Sequence, residues 1–351
     1  MNTPFHVPTV DITPYVENHS AASKAEVARQ IDEACRRVGF MQIVGHQIPD
    51  DVIQGLGAAL DAFFGMELEA KKAFIRPPHE NRGYTPPRSE SLSYTIGVDP
   101  VARMNDFFEA YNLGSSVTDY PGVELIEEHY APNTWPEIPG ATESFRTWIE
   151  AYYDNARRVS QLLVVSFADA LGVGAGYFEP IVDHSLDVLR MNNYALDPGE
   201  LELGADLTGM GEHTDFGIVT VLWADQVEGL QVLGTDGGWH DVMPADGALL
   251  VNLGDIAARL TNDEWMSTLH RVKPPVINGT IKRRRSAAFF FDGNAEALIE
   301  TIPSFLADGQ PQRYEPVTVS QNTKAKLAGS RIGIKNLAAT AEAARVAAAT
   351  S

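Results

Sequence analysis

Cysteine is nearly absent: Cys35 is the only one among 351 residues. An intrachain disulfide is therefore impossible, and a structural zinc site built from thiolates is excluded. Basic charge is scarce too. Lys+Arg number 27 against 47 Asp+Glu, a formal net charge of −20. That argues against general binding to a nucleic-acid backbone, which relies on a basic patch to release counterions. Long apolar runs are missing as well; the longest, around Leu162 to Phe167, is far too short to cross a bilayer. The start, Met1-Asn2-Thr3-Pro4-Phe5-His6, has neither the basic residues nor the apolar stretch of a signal peptide. The expectation is a cytoplasmic protein with no nucleic-acid and no membrane partner. Cys35, inside a helical pattern from Ala25 to Val38, is expected to act as a small buried hydrophobe.

What is present is an ordinary globular composition, 44% hydrophobic and 21% charged, with length enough for two domains or one large one. Val7 to Ile12 reads as an opening strand. A helix follows from about Ser23, with Ser23 as N-cap, and stops at Gly39. Phe40 to Val44 reads as a strand and Asp50 to Phe64 as an amphipathic helix. Pro77 to Pro100, rich in Pro, Gly, Ser and Arg, reads as a long surface loop and a candidate wall or lid of a pocket. A long packing helix covers Thr142 to Leu171.

After Asp187 the pattern changes to short β-rich runs: Val188 to Tyr194, Ile218 to Trp223, Leu230 to Leu233, Ala248 to Leu253 and Ala287 to Phe291. Turn signals such as Asp197-Pro198-Gly199 and Asp236-Gly237-Gly238 separate them. Many short strands with Gly- and Pro-rich connections indicate a sandwich, barrel or jelly roll rather than a parallel doubly wound sheet. The Ala-rich tail from Leu337 to Ser351 is helix-prone, either capping the barrel or fraying.

The chemistry concentrates in Gly211-Glu212-His213-Thr214-Asp215-Phe216-Gly217. In extended backbone, residues two apart face the same side, so His213 and Asp215 can address one metal ion. A second imidazole has to come from a distant strand, and His240 and His270 are the two downstream candidates; His270, followed by an arginine motif, is the stronger. Two imidazoles and one carboxylate on one face of an octahedron leave three positions open, the arrangement of iron(II) oxygenases. His-x-Asp by itself is a weak signal.

Fourteen residues after His270 comes Arg284-Arg285-Ser286. If Arg284 opens this strand, Ser286 shares its face, and a guanidinium fork with a hydroxyl beside it suits one carboxylate. The remainder of Lys282 to Arg285 is read as a solvated basic turn. Asn192 and Tyr194, again two apart, form a second candidate pair.

Taken in order, these motifs resemble the isopenicillin N synthase-like group of iron(II)/2-oxoglutarate-dependent dioxygenases. The resemblance runs from Val7-Pro8-Thr9-Val10-Asp11-Ile12, through Ala34 to Phe40, Gly45-His46-Gln47-Ile48 and Phe63-Phe64, to Arg190-Met191-Asn192-Asn193-Tyr194. It continues through His213 to Gly217, Val227 to Val232, Asn252 to Asp255, His270-Arg271-Val272 and Arg284 to Phe290. It implies a mainly β fold with flanking helices, built on a double-stranded β-helix (jelly-roll) core. The corresponding division is an N-terminal α/β region (1–120), a connecting helical region (121–186), the jelly-roll core (187–295) and a C-terminal extension (296–351).

The resemblance further implies Fe(II) held by His213, Asp215 and His270. It gives 2-oxoglutarate its C5-carboxylate contacts at Arg284 and Ser286 and supporting contacts at Asn192 and Tyr194, though Asn193 stands where many relatives carry an aromatic. His46 falls in a motif of structural role. The implied reaction consumes O2 and 2-oxoglutarate, oxidises a C–H bond of a small-molecule substrate and releases succinate and CO2. Halogenating relatives replace the metal-binding carboxylate, so Asp215 points to hydroxylation, desaturation or cyclisation.

Two alternatives stay open at this point. One is a 2-oxoglutarate-independent oxidase of the isopenicillin N synthase or aminocyclopropane-carboxylate oxidase type, in which the arginine serves another carboxylate. The other is a non-catalytic binding module on the same scaffold, which predicts the loss of a ligand or of the anchor. For the substrate pocket, the Pro77-to-Pro100 loop, Arg103 to Asp106, Phe216, Phe291 and the C-terminal tail are candidates.

Overall fold

The structure, a computed structural model, describes the chain apart from residues 1–4, 100–105, 196–208, 278–279, 310, 338, 340–342, 345 and 348–351. The first half contributes strands β1 (Thr9–Asp11), β2 (Phe40–Val44), β3 (Gly83–Thr85) and β4 (Glu109–Gly114). After the long helix come β5 (Val188–Tyr194), β6 (Met210–His213), β7 (Val219–Ala224), β8 (Leu230–Leu233), β9 (Trp239–Asp241) and β10 (Leu249–Leu253). Then follow β11 (His270–Val272), the hairpin β12 (Val276–Ile277) and β13 (Thr280–Ile281), and β14 (Arg284–Phe291). Five helices matter here: α1 (Ala21–Arg37), α2 (Asp50–Phe64), α3 (Thr142–Leu171), α4 (Asp255–Leu260) and α5 (Val319–Ile332).

Eight strands form one sheet in the order β1-β2-β10-β7-β14-β5-β4-β3, and β6-β11-β8-β9 form a second. The two sheets enclose the jelly-roll core, and the helices flank the larger one. The larger sheet takes strands from both halves of the chain: β2 pairs with β10, and β4 with β5.

Period-2 alternation assigns each face of this sheet a different job. Leu189 and Met191 of β5, Val219 and Val221 of β7, Val251 of β10, and Ala287, Phe289 and Phe291 of β14 join one apolar core with α1, α2 and α3. Their neighbours in sequence point the other way. Phe40, Ala110, Tyr194 and Leu250 meet Met210, Leu230, Val232 and Val272 of the second sheet in a separate, smaller core. The polar members of that inner face, Arg190, Asn192, Arg284 and Ser286, line the cavity at its end.

Strands β2 and β5 and helices α2 and α3 occupy the expected residues. Helix α1 begins at Ala21 rather than near Ser23, because the Ser20 side chain, three residues before Ser23, accepts the Ser23 N–H at 3.3 Å and caps the end. Strand β7 is Val219–Ala224, one residue later than read, and β14 extends back from Ala287 to Arg284. Pro77 to Pro100 is not a plain surface loop. It holds β3 and a 3-10 helix at Leu92–Ile96, and Glu90, Ser91, Ser93 and Thr95 are buried in it.

Helix α5 was not foreseen, although its capping box, Thr318 with Gln321, is a sequence signal. Asp197 to Gly199, Arg103 to Asn105 and much of the tail after Leu337 lie outside the described residues. Cys35 is fully buried within α1. No helix among the described residues is long and apolar enough to cross a membrane.

The alternation on β14 makes a direct prediction. Phe289→Ala empties a site in the helix-facing core and should cost ~3–5 kcal/mol in a denaturant unfolding measurement. Phe290→Ala, on the cavity face, should cost much less.

Candidate active site

His213 ends β6 and His270 opens β11; the two residues are directly paired across the second sheet. Their rings lie 4.2 Å apart between centroids. Each ring is turned by the same device. His213 Nδ1 bonds Gly211 O at 2.8 Å, and His270 Nδ1 bonds Thr268 O at 3.0 Å. A carbonyl only accepts, so each Nδ1 carries the proton and each Nε2 offers a lone pair.

Those Nε2 atoms stand 3.9 Å and 3.7 Å from Asp215 Oδ1. Two metal bonds of about 2.1 Å span at most about 4.2 Å, so one ion reaches both members of either pair. The other oxygen, Asp215 Oδ2, is occupied: Thr220 Oγ1 donates to it at 2.5 Å and Asn252 Nδ2 at 2.7 Å. Thr220 and Asn252 are themselves cross-strand partners on β7 and β10. One carboxylate oxygen is thus held by the sheet and the other left for a ligand.

The electrostatics agree. Burial, reinforced by His270, pushes His213 down to about 3, which keeps its imidazole neutral. Burial opposes ionisation of Asp215, but the two histidines and the bonds from Asn252 and Thr220 outweigh it and hold the carboxyl below its usual range. Two imidazoles and a carboxylate, all three buried, are the only His/Cys/Asp/Glu cluster among the described residues that brings three donors within 4.8 Å. The donor set suits non-haem iron(II).

The turn after Asp215 explains its glycines. A Cβ on Gly254 would lie 2.2 Å from Gly217 O, and one on Gly217 would lie 1.9 Å from Asp292 Oδ1. Asp255 N–H donates to Asp215 O at 2.9 Å across this contact.

Arg284 and Ser286 share the cavity face of β14, opposite Tyr194 and Asn192 of β5 respectively. Ser286 Oγ accepts Asn192 Nδ2 at 3.4 Å, and the Arg284 guanidinium lies over the Tyr194 ring at 5.2 Å. Arg284 is 2% exposed, yet its Nε and Nη1 have no hydrogen-bond partner, and no carboxylate pairs with it among the described residues. A buried guanidinium without a counter-ion is costly. A carboxylate from outside the chain would supply what it lacks.

The neighbours of Arg284 are engaged elsewhere. Arg283 pairs with Asp61 at 2.6 Å, and Arg285 with Asp61 at 2.9 Å and Asp225 at 3.3 Å. Lys282 to Arg285 is therefore not a free basic turn: two of its arginines tie β14 to α2.

Sequence reading missed α5, which closes the cavity. Leu327, Ser330 and Arg331 line it, and residues three and four apart share a helical face. The same helix clasps the segment that carries Asp215. Asn322 Nδ2 donates to Phe216 O at 2.9 Å, and Lys326 Nζ donates to Thr214 Oγ1 at 3.1 Å and pairs with Asp255 Oδ2 at 2.7 Å.

Among the other candidates, Phe216 lines the cavity, whereas Phe291 packs in the helix-facing core and its neighbour Phe290 lines instead. Asp106 is buried and accepts from Leu92 N and Gly211 N. Glu90, Leu92 and Asn81 bring the Pro77-to-Pro100 segment to the cavity, which holds about 930 Å³ including its mouth. His240 sits at the far sheet edge, bonded to Asp236 at 2.9 Å and stacked on Phe5, away from the triad. His46 holds the Gly247 carbonyl at 3.0 Å.

Comparison with known proteins decides the family. Residues 7–138 match the family described as non-haem dioxygenase in morphine synthesis N-terminal, and residues 186–293 match the 2OG-Fe(II) oxygenase superfamily. The chain is 33% identical to the 2-oxoglutarate-Fe(II) type oxidoreductase hxnY of Emericella nidulans, over 89% of this chain and 86% of that one. It belongs to the 2-oxoglutarate- and iron(II)-dependent oxygenases.

Clavatol oxidase claD of Penicillium crustosum is 30% identical over 94% of this chain and 98% of its own. Among solved structures, a full-length Neurospora crassa protein in complex with alpha-KG and 5-formyluracil superposes with a TM-score of 0.79 at 27% identity, covering 94% of this chain and 98% of that one. As a member of this family of non-haem iron oxidoreductases, the protein uses Fe(II), O2 and 2-oxoglutarate and acts on a small molecule. A 2-oxoglutarate-independent oxidase is thereby set aside, as is a non-catalytic module.

The clasp between α5 and the Thr214-to-Phe216 segment can be tested by stability. Lys326→Met leaves Asp255 buried without its cation and should cost ~3–5 kcal/mol in chemical denaturation. Adding Asp255→Asn should recover part of that loss.

Proposed function

We propose that this oxygenase holds its iron with His213 Nε2, His270 Nε2 and Asp215 Oδ1, and takes the far carboxylate of 2-oxoglutarate on Arg284 and Ser286. The observation that carries the second assignment is the buried Arg284 guanidinium beside the triad's cavity, whose Nε and Nη1 have no partner among the described residues. Asn192 supports Ser286 through its amide, and Tyr194 gives the guanidinium an aromatic face on which to rest. Residues 187–295 then carry the catalytic core, with 1–120, 121–186 and 296–351 arranged around it.

With iron bound, the centre supplies oxygen activation coupled to decarboxylation of 2-oxoglutarate, giving succinate, CO2 and an oxidised substrate C–H bond. The protein's own part is positional. Gly211 and Thr268 carbonyls fix both imidazoles as Nε2 donors; Thr220 and Asn252 keep Asp215 turned so that a single oxygen faces them. Phe216, Phe290 and Leu327 give the cavity apolar walls that exclude water where the C–H bond is presented. With its carboxylate in place, Asp215 leaves no vacant ligand position for a halide, so the outcome is hydroxylation, desaturation or cyclisation. We further assign the enzyme a small-molecule substrate, with neither nucleic acid nor membrane as partner, and a place in the cytoplasm.

Succinate should form in step with product when Fe(II), ascorbate and 2-oxoglutarate are supplied. Arg284→Met should raise the 2-oxoglutarate concentration for half-maximal succinate by ~10- to 100-fold, the loss of one or two charge-assisted bonds, while iron binding by titration calorimetry stays intact. His213→Ala should abolish that iron binding; unchanged affinity would refute the assigned ligands. Asn252→Ala should weaken iron affinity ~10- to 100-fold by freeing Asp215 to rotate.

A further inference from the structure

Beyond the metal and the co-substrate anchor, the cavity holds a second group of buried charges that those roles leave unused. On the cavity face of the main sheet, successive rungs run Arg284–Tyr194, Ser286–Asn192, Ala288–Arg190 and Phe290–Val188. Asn112 of β4 lies beside Arg190, and Thr220, which holds Asp215, lies beside Phe290. Arg190 and Asn112 therefore occupy the rung next to the one that steadies Asp215, on the side of the co-substrate anchor.

Arg331 of α5 joins them. Both guanidiniums converge on one carboxylate: Arg190 Nη2 lies 2.8 Å and Arg331 Nε 3.3 Å from Glu90. Glu90 is the only carboxylate paired with either guanidinium among the described residues. Burial opposes its charge, yet Arg190 and Arg331 hold it below the usual carboxylate range. The cluster thus carries two cations against one anion. Asp292, at the far end, pairs with neither arginine.

Two polar atoms in this cluster also lack hydrogen-bond partners among the described residues. Arg331 Nε has none aligned with it, although Glu90 is near, and Asn112 Oδ1, on a side chain 1% exposed, accepts from nothing. Asn81 Oδ1 ties the two together, accepting Asn112 Nδ2 at 2.8 Å and Arg331 Nη2 at 2.9 Å. A ligand that offers an acceptor beside a donor would satisfy both.

We propose that Arg331, with Arg190 and Asn112, forms the substrate-recognition subsite, and that the substrate is a small carboxylic acid with an N–H or O–H donor close to its carboxylate. This rests on the iron and 2-oxoglutarate reading, because only then are Arg284 and the triad already occupied. The carboxylate lies against Arg331 and the excess positive charge; the donor reaches Asn112 Oδ1. The acid end is thereby fixed and the carbon skeleton directed over the apolar walls toward the triad. Arg331 acts as a specificity residue carried on a helix outside the jelly roll.

The test uses the full-length protein loaded with Mn(II), an oxygen-inert stand-in, and saturating 2-oxoglutarate. Thermal unfolding is followed while salicylate and anthranilate, acids with an adjacent donor, are titrated against salicylamide and anthranilamide. Loading itself is read before any probe is added: a rise in Tm with Mn(II) and 2-oxoglutarate reports the metal and co-substrate reading separately. The acids are expected to bind at least tenfold more tightly than their amides. Arg331→Gln should erase that preference while keeping the shift from 2-oxoglutarate, and Arg331→Lys should retain part of it. Equal binding of acids and amides, no binding of either acid, or an undiminished preference in Arg331→Gln would each overturn the proposal. If Arg331→Gln fails to fold, the comparison on the unaltered protein decides.

Discussion

Every strand of the larger sheet has to serve two environments, and the site follows from that constraint. The outward residues of β5, β7, β10 and β14 pack under helices in an apolar core. The inward residues of the same strands carry Arg190, Asn192, Thr220, Asn252, Arg284 and Ser286 to the cavity. A one-residue slip in any strand would exchange these sets, placing a guanidinium among phenylalanines. The burial of Phe289 and Phe291 is thus what fixes the direction of Arg284, and the register is held by hydrophobic packing far from any chemistry.

That arrangement makes the cavity electrostatically demanding. Arg190, Glu90, Arg331, Lys326, Asp255 and Asp215 all have side chains no more than 10% exposed. Charges withdrawn from water persist only where partners are close and well aligned. Most of them meet this demand internally, as in the Lys326–Asp255 pair at 2.7 Å. Arg284 does not, and that imbalance singles it out from the other arginines of the same segment. A cation with no carboxylate partner among the described residues faces the cavity, the arrangement expected where an anionic ligand completes the site.

Much of this was legible in the sequence because the relevant signals are local. His213 and Asp215, or Arg284 and Ser286, need only the two-residue period of a strand to be placed on one side. The boundaries of α2 and α3 follow from apolar periodicity and from Gly65 and Gly172 at their ends. What was not legible depends on contacts between distant segments. Nothing near Asp215 in sequence announces that Asn252 holds its second oxygen, since the two meet only because β10 lies beside β7. Ser20 caps α1 instead of Ser23, a choice made by loop geometry between two equally suitable residues three apart. Helix α5 was overlooked for a different reason: its residues alternate little in polarity, because one face meets a polar cavity rather than a core. Its capping box was the available clue, and nothing local marks Lys326 and Arg331 as buried, because their partners are 71 and 241 residues away, at Asp255 and Glu90.

The surface and the cavity also differ in sign. The chain carries a formal charge of −20, which repels a dianionic co-substrate at long range. At physiological ionic strength, however, such repulsion fades beyond about 8 Å. Inside the cavity screening is weaker, and Arg284, with no carboxylate partner among the described residues, is the charge proposed to govern there. On the proposed assignment of Arg284 to the co-substrate, capture of 2-oxoglutarate would be decided at contact and not by steering, and its selectivity would be a matter of fit to a fixed guanidinium. The same logic links α5 to selectivity. Because Arg331 and the clasp on Thr214 and Phe216 reside on one helix, whatever orders that helix against the barrel sets the substrate end of the cavity and steadies the Asp215 segment together.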